Sequence, residues 1–387
     1  MYKRLINIEL PKNQSAFLWG ARKTGKSTYL KSRFAESVYI DLLLSDSYMN
    51  YLNAPQRLRE ELLAVDRERL KAPVIIDEVQ KIPQILDEVH WLIENRGLRF
   101  ILSGSSARKL KRGKANLLGG RAWRYVMLPL TSREIGDFNL LEVLNKGLIP
   151  SHYLSKNFRK SIKAYIQDYL KEEVFDEALT RNIPAFSRFF DSMGYSHGEL
   201  TNYTNIAREC GVNEKTVKEN YQILIDTLLG TQVEPYKKKQ ERQVIQKAGK
   251  FYLFDVGVAG AITKRRIEEE RGEEFGKALE HFIFMELNAY KLYNDYDFEI
   301  NFWRTKSGIE VDFILNSGEV AIEVKGSSII SNQHIKGLNA FNEIHKPRKS
   351  ILVCNEKTPR IIGNIEILPV RDFLAKLWSG EIISQVC

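Results

Sequence analysis

The chain of 387 residues contains no uncharged apolar run that approaches the roughly 18 residues a membrane span requires. Its first twelve residues carry Lys3, Arg4 and Glu9 where a secretory leader would have an apolar core. Cysteine is scarce: Cys210, Cys354 and Cys387 are odd in number and far apart, which excludes a disulfide framework and a cysteine-based zinc site. Neither sign of charge dominates. Lys and Arg total 58 against 49 Asp and Glu, a net charge of +9 that permits contact with nucleic acid without requiring it. No internal repeat and no low-complexity segment is present. What remains is a globular composition, 43% hydrophobic and 28% charged. At about 150 residues per domain the length suggests two or three domains. The expected location is the cytoplasm, with no membrane partner.

Along the chain, short apolar runs at 15–19, 38–43, 74–76, 99–102 and 125–128 alternate with helical patterns at 26–34 and 56–70. This is the pattern of a parallel sheet covered by helices. From 131 to 193 the sequence turns helical, with Ile162, Tyr165, Ile166, Tyr169, Leu170, Val174 and Phe175 at helical spacing over 161–179. Pro184 punctuates this block, which reads as a helical lid or connector. A short helical pair and two β-rich stretches follow between 198 and 255, then a charged linker over 264–274. The last segment opens with a helix at about 276–293 and continues with strands at about 298–304, 309–315 and 319–324.

Gly20, Ala21, Arg22, Lys23, Thr24, Gly25, Lys26 and Ser27 form a complete phosphate-loop pattern that follows an apolar strand and precedes a helix, and with Thr28 they are the expected nucleotide-binding residues. Glycines let the backbone wrap an anion, and successive amides with the helix N-terminus face it. Lys26 is expected to reach the β- and γ-phosphates of ATP, and Ser27 to hold Mg2+. A second apolar strand ends in Asp77 and Glu78. Asp77 is expected in the Mg2+ shell and Glu78 as the general base that activates water, with adjacent strands bringing Asp77 beside the phosphates. A third strand ends at Ser103 and Ser105, either of which could sense the γ-phosphate; an ordinary strand-end turn reads equally well. Arg121 could supply transition-state charge from a neighbouring subunit, although a solvated or structural arginine is the commoner case.

Residues 205–229 read as two helices. Gly211 suits a left-handed turn between them, and Asn213 suits the N-cap of the second. Val217, Tyr221, Leu224, Ile225 and Leu228 share one face, while Lys215, Thr216 and Lys218 lie on the exposed side, where a recognition helix reads DNA. Lys237, Lys238, Lys239, Gln240, Glu241 and Arg242 would tip a following hairpin, a wing. A plain three-helix packing module with solvated lysines is the alternative.

Near the C-terminus, Glu310, Asp312, Glu323 and Lys325 stand on two strands joined by Asn316, Ser317 and Gly318. A two-residue turn at Ser317 and Gly318 sets Asp312 opposite Glu323 and Glu310 opposite Lys325; a three-residue loop would not. Glu280 on the preceding helix is a further carboxylate. Such a set suits phosphodiester hydrolysis: Asp312 and Glu323 would bind Mg2+ and Lys325 would orient water or neutralise developing charge. An exposed strand with alternating charges is the bland alternative.

The order of these parts, with Pro129-Leu130 and the run from Lys250 to Asp255 between them, resembles a widespread group of bacterial and archaeal AAA+ type ATPases that carry a C-terminal domain of unknown function. The resemblance covers nearly the whole chain. It implies an α/β multidomain architecture: a P-loop NTPase core with a five-stranded parallel sheet over 1–130, a helical lid over 131–195, a winged helix-turn-helix over 196–262, and a restriction-endonuclease-like PD-(D/E)XK domain over 263–387. Within that pattern Lys26, Ser27, Asp77 and Glu78 carry over to the ATP site, and Glu280, Asp312, Glu323 and Lys325 to the nuclease-like site. Val311 stands where the PD signature has its proline. The expected function is ATP binding and hydrolysis, with Mg2+, coupled to a DNA-directed nuclease-like domain in a possible homo-oligomer. The alternative is a nucleotide-gated switch or binding module that does not cleave.

Overall fold

The computed structural model describes residues 2–108, 110, 118–170, 183–237 and 248–383. The basic segment from Lys238 to Arg242, and Val174 and Phe175 of the expected helix over 161–179, lie outside these. The chain divides into two units: Lys3–Pro129 with Gln222–Leu229, and Met1–Tyr2 with Leu130–Tyr221 and Gly230–Cys387.

In the first unit the strands are β1 (Ser15–Trp19), β2 (Tyr39–Asp41), β3 (Val74–Asp77), β4 (Phe100–Gly104) and β5 (Ala122–Val126), all parallel, in the order β2-β3-β4-β1-β5. Every residue of β1, β3 and β4 is buried. That explains their continuous apolar runs, since a parallel sheet is covered on both faces. The covering helices include α1 (Lys26–Arg33), α2 (Ser45–Asn53), α3 (Arg57–Ala64) and α4 (Ile85–Arg96). On α4, Leu86, Val89, Leu92 and Ile93 are buried at helical spacing, each worth roughly 1.5–3 kcal/mol of transfer.

Three sequence expectations shift here. The fifth strand begins at Ala122 and not at Tyr125. It is an edge strand with Trp123 and Arg124 exposed, so hydropathy alone misses its start. The helix expected over 56–70 stops at Ala64, because the Asp66 carboxylate accepts from the Glu68 amide at 2.9 Å and turns the chain. And β3 does not adjoin β1, because β4 lies between them.

In the second unit the described residues form an eight-stranded sheet: β6 (Gly230–Pro235), β7 (Lys250–Leu253), β8 (Ile300–Arg304), β9 (Glu310–Leu315), β10 (Val320–Val324), β11 (Lys349–Cys354), β12 (Arg360–Ile362) and β13 (Ile365–Pro369). Its order is β12-β13-β11-β10-β9-β8-β6-β7. The helix Glu273–Tyr293 covers one face through Phe275, Leu279, Phe282 and Leu287, packed with Phe302, Phe313 and Ile322. The helix Lys336–His345 lies in the other core, where Leu338 and Phe341 meet Trp303, Val311 and Ile314. The strands flanking the expected wing belong to this same sheet, since β6 pairs with β8 through Glu234↔Asn301 and Pro235↔Phe302.

The helices Tyr203–Cys210 and Glu214–Asp226 are joined as their residues suggest: Gly211 takes φ 67° and the Asn213 side chain accepts from the Thr216 amide at 2.8 Å. The expected helix over 161–179 is seen as Phe158–Ala164 followed by a π-helical stretch, Tyr165–Leu170.

Candidate nucleotide site and a buried carboxylate cluster

The interposed strand aligns the first site. Trp19 of β1 pairs with Gly104 of β4, and Asp77 of β3 pairs with Ser103 of β4, so three strands end level with one another. The phosphate loop follows the first of these ends. Gly25 takes φ 99°, a conformation that favours glycine, immediately before α1. Lys26 is buried and its ammonium donates to the carbonyls of Gly20, at 2.6 Å, and Ala21, at 3.1 Å. The lysine is thus held across the loop by carbonyl groups that an anionic ligand could replace. Thr24 donates to the Ala21 carbonyl at 2.8 Å. Arg22, Lys23 and Thr28 are exposed and Ser27 half-buried.

The two acids at the end of β3 are held by uncharged donors. Asp77 accepts from the Tyr39 hydroxyl at 2.6 Å and from Ser103 Oγ. Tyr39 also hydrogen-bonds Ser27, which links the first helical turn to Asp77 through one phenol. Burial, together with the Asp77 carboxylate, holds that phenol well above the usual tyrosine range, so it remains a donor. Glu78 sits at φ 61°, ψ 42°, a left-handed conformation that costs a non-glycine residue roughly 1–2 kcal/mol. Its carboxylate accepts from Gln80 Nε2 at 2.6 Å, and the same amide reaches Ser105 Oγ at 3.3 Å. Both candidate sensor serines therefore contact the acid pair, Ser103 directly and Ser105 through Gln80. Tyr39 and Gln80 were not foreseen from sequence: a lone Tyr or Gln carries no signal until strand ends are aligned.

Arg121 is elsewhere. Ser15 opens β1 opposite Ala122, and the Ser15 amide donates to the Arg121 carbonyl at 2.9 Å. Arg121 thus flanks the start of β1, about 13 Å of strand from the phosphate loop. Its guanidinium pairs with Glu94 of α4. It lies away from the phosphate loop of its own chain, which leaves the expected role from a neighbouring subunit as the one open to it.

The second cluster lies on β7, β9, β10 and the helix Glu273–Tyr293. Ile322↔Phe313 and Ala321↔Ile314 give β9 and β10 the register in which Asp312 faces Glu323. The turn differs from expectation: Asn316–Gly318 forms a 3-10 turn, yet the register is the one a two-residue turn would give. A β-bulge marks the site. Asn301 pairs with Ile314 but Trp303 with Val311, so Asp312 and Phe313 together oppose Phe302. Bulges redirect side chains beside functional sites. Asp312 accepts from the Val324 amide at 2.8 Å. Lys325 pairs with Glu323, and Glu310 pairs with Arg304.

Glu280 is engaged otherwise than expected. The Tyr252 hydroxyl donates to it, and Lys250 approaches it at 3.4 Å. Burial pushes Glu280 up to about 7, against the pull of Lys250. Burial and the neighbouring Asp312 charge likewise raise Glu323 well above the carboxylate range. Among the described residues, no three His, Cys, Asp or Glu groups gather closely enough to hold a metal, so the three-carboxylate set of Glu280, Asp312 and Glu323 is not assembled. The pair Asp312 and Glu323 nevertheless fits a hard cation. Both are oxygen donors, and Glu323 Oε2 is buried without a hydrogen-bond partner. The run from Lys250 to Asp255 is part of the family resemblance, but the sequence does not place Lys250 and Tyr252 at this site, because they lie far from the motif.

On the helix Glu214–Asp226, Lys215 and Lys218 are exposed and stand near Glu219 (4.0 Å) and Glu214 (3.7 Å) respectively, so its exposed face is largely charge-balanced. Thr216 is half-buried.

Residues 12–136 match the family model described as an AAA domain. Residues 138–269 and 275–373 match two models described as domains of unknown function, DUF8612 and DUF4143. The chain is similar to the uncharacterized proteins Mb2031c of Mycobacterium bovis and Rv2008c of Mycobacterium tuberculosis, at 24% identity over 285 residues in each case. Each alignment takes in 70% of this chain and 62% of the relative, so the chain spans less than two thirds of those proteins. Among solved structures it is similar to a signal transduction ATPase with numerous domains and a tetratricopeptide repeat sensor from Pyrococcus horikoshii. That likeness is at 11% identity, covering 76% of this chain and 48% of the other, with a TM-score of 0.20, too low to carry an argument. The AAA match and the parallel five-stranded sheet support ATP binding by the N-terminal unit. Among the described residues no helix is long and apolar enough to cross a membrane.

Proposed function

We propose that the chain binds and hydrolyses ATP in its N-terminal unit and that nucleotide state controls a nuclease-like C-terminal unit directed at DNA. The carrying observation is the level alignment of three strand ends, with Lys26 and Ser27 after the first, Asp77 and Glu78 at the second, and Ser103 on the strand between. Lys26 exchanges its carbonyl partners for phosphate oxygens. Ser27 and Asp77, already joined through Tyr39, would hold Mg2+, which would draw charge off the phosphates as the bond breaks. Glu78 accepts the proton of the attacking water, and Gln80 holds its carboxylate in place. The test is ATP binding and phosphate release by the purified chain with Mg2+. Lys26→Ala should abolish both, and a folded parent protein with no affinity for ATP overturns the reading.

For the C-terminal unit, the orphan Oε2 of Glu323 beside Asp312 supports a Mg2+ site of the PD-(D/E)XK kind, in which the ion would polarise a phosphodiester and Lys325 would orient water. The helices on either side of Gly211 support a winged-helix DNA contact through Lys215, Thr216 and Lys218. Cleavage of labelled DNA by the parent protein, lost in Asp312→Ala, tests this. A second reading, a nucleotide-gated switch whose nuclease-like domain does not cut, is favoured by the ammonium groups that already neutralise the carboxylates.

A further inference from the structure

Lys250 is an ammonium group set deep in the C-terminal unit, with 5% of its side chain exposed. Its backbone is fixed on both edges, by pairing with Val233 of β6 and by a bridge to Leu200. The side chain passes the Phe302 ring with Nζ 5.6 Å from its centre and ends between Glu280, at 3.4 Å, and Glu310. Burial alone would pull its pKa down, but Glu280, Asp312 and Glu310 more than reverse that and hold it protonated.

Three carboxylates are thus paired, Glu280 and Glu310 with Lys250 and Glu323 with Lys325, while Arg304 reaches Glu310 from a more exposed position and Asp312 accepts from the Val324 amide. The ammonium groups leave one thing unexplained. Glu323 is 5% exposed, and its Oε2 is buried with nothing donating to it. An acceptor of that kind, beside Asp312, is what an oxygen-seeking cation would satisfy. Yet the third carboxylate such a cation would recruit, Glu280, is held by Lys250 and Tyr252.

We propose that Lys250 is an internal counter-ion that restrains this cluster from taking up a divalent cation, and that cation binding requires its ammonium to release Glu280 or Glu310. The proposal rests on the reading of Asp312 and Glu323 as a cation pair. A divalent ion at Asp312 and Glu323 competes with Lys250 for Glu280, so replacing the ammonium by a neutral group leaves the cluster more negative and raises its affinity.

The test is Mn2+ titration of the full chain by calorimetry, for the parent protein, Lys250→Gln, Lys250→Arg, and each of these with Asp312→Asn. Lys250→Gln should bind Mn2+ at least tenfold more tightly than the parent, Lys250→Arg should stay within about threefold, and Asp312→Asn should remove the site throughout. Binding by Lys250→Gln but not by the parent supports the proposal equally. Equal affinities in the parent and Lys250→Gln overturn the role of Lys250 while leaving the cation pair standing. No Mn2+ bound at Asp312 by any variant overturns the pair, and the proposal with it. If Lys250→Gln is unfolded in EDTA, recovery of its circular dichroism with millimolar Mn2+ supports the proposal, and failure to recover overturns it.

Discussion

At the ends of β3 and β4, Asp77 is held by two hydroxyls and Glu78 by an amide. In the C-terminal unit, Glu280, Glu310 and Glu323 are held by ammonium or guanidinium groups. The two arrangements leave different amounts of charge to use. Neutral donors orient a carboxylate and leave its negative charge available to a cation or a proton. An ammonium partner orients it and cancels the charge as well. A site framed by hydroxyls and amides is therefore ready for a metal–nucleotide complex, whereas one framed by lysines must first give up a partner.

The largest effect that could break this comparison is at Glu78. If its negative charge is what the uncharged surroundings preserve, Glu78→Gln should bind MgATP about as well as the parent and hydrolyse it about 10²–10⁴-fold more slowly. Parallel nucleotide-binding and phosphate-release measurements decide it. Unchanged turnover would mean that Glu78 is not the base and that the uncharged donors serve packing alone.

Glu286 offers a third arrangement: a fully buried acid with uncharged donors and no cation. It accepts from the Ser132 amide and hydroxyl and from Trp378 Nε1, each at 2.7 Å. Burial pushes it from 4.5 up to about 7, since these bonds do not offset the loss of water. Folded Glu286 thus binds its proton more tightly than the unfolded chain does. The stability this confers is complete at or below about pH 4.5 and is lost as pH rises through about 7. The change amounts to about 3 kcal/mol. Denaturant unfolding at pH 5 and pH 8 should show the C-terminal unit weaker at pH 8, with Glu286→Gln showing a smaller difference. An undiminished difference in the variant would assign the pH dependence to other groups.

How far the sequence foreshadowed each site follows from how local its parts are. The phosphate loop is contiguous, and its strand–loop–helix context is written in adjacent residues, so Gly20 to Ser27 could be read directly. The interposition of β4 could not, because strand order depends on pairing between distant segments. The contacts of Tyr39 and Gln80 appear only once that order is known. In the C-terminal cluster the register of β9 and β10 was one of two that the turn residues left open, and the 3-10 turn that joins the strands was not foreseen. Nor was the bulge at Asp312 and Phe313, because alternation along a strand assumes an unbroken ladder. Lys250 was legible only as the first residue of a family run, and its place beside Glu280 and Glu310 appears once β7 is seen to carry it inward.

Tyr39 sharpens the comparison with a smaller effect. Its hydroxyl joins Ser27 to Asp77, the two residues expected to share Mg2+. Tyr39→Phe leaves Asp77 with Ser103 and removes one hydrogen bond to a charged group, worth roughly 1.5–3 kcal/mol. The expected outcome is a roughly tenfold rise in the Mg2+ concentration needed for half-maximal hydrolysis, with turnover at saturating Mg2+ within a few-fold of the parent. A loss of turnover that Mg2+ does not repair would place Tyr39 in the chemistry itself.

The smallest effect belongs to Arg121, and its smallness is informative. The residue is tied to Glu94 by an exposed ion pair, which is worth little to stability. It also flanks the start of β1, the opposite end from the phosphate loop. Arg121→Ala should therefore leave stability within about 0.5 kcal/mol. Hydrolysis by dilute chain should stay within about twofold of the parent, because no charge is removed from the chain's own site. If the same arginine reaches the site of a neighbouring copy, the parent's turnover per chain should climb with protein concentration and the variant's should not, since a finger supplied in trans contributes several orders of magnitude. A concentration series of phosphate release for both proteins separates the cases. Two flat lines leave the acids of β3 and their hydroxyl and amide donors to act within one chain, and two lines diverging with concentration mean that the uncharged frame is completed by a cation from outside.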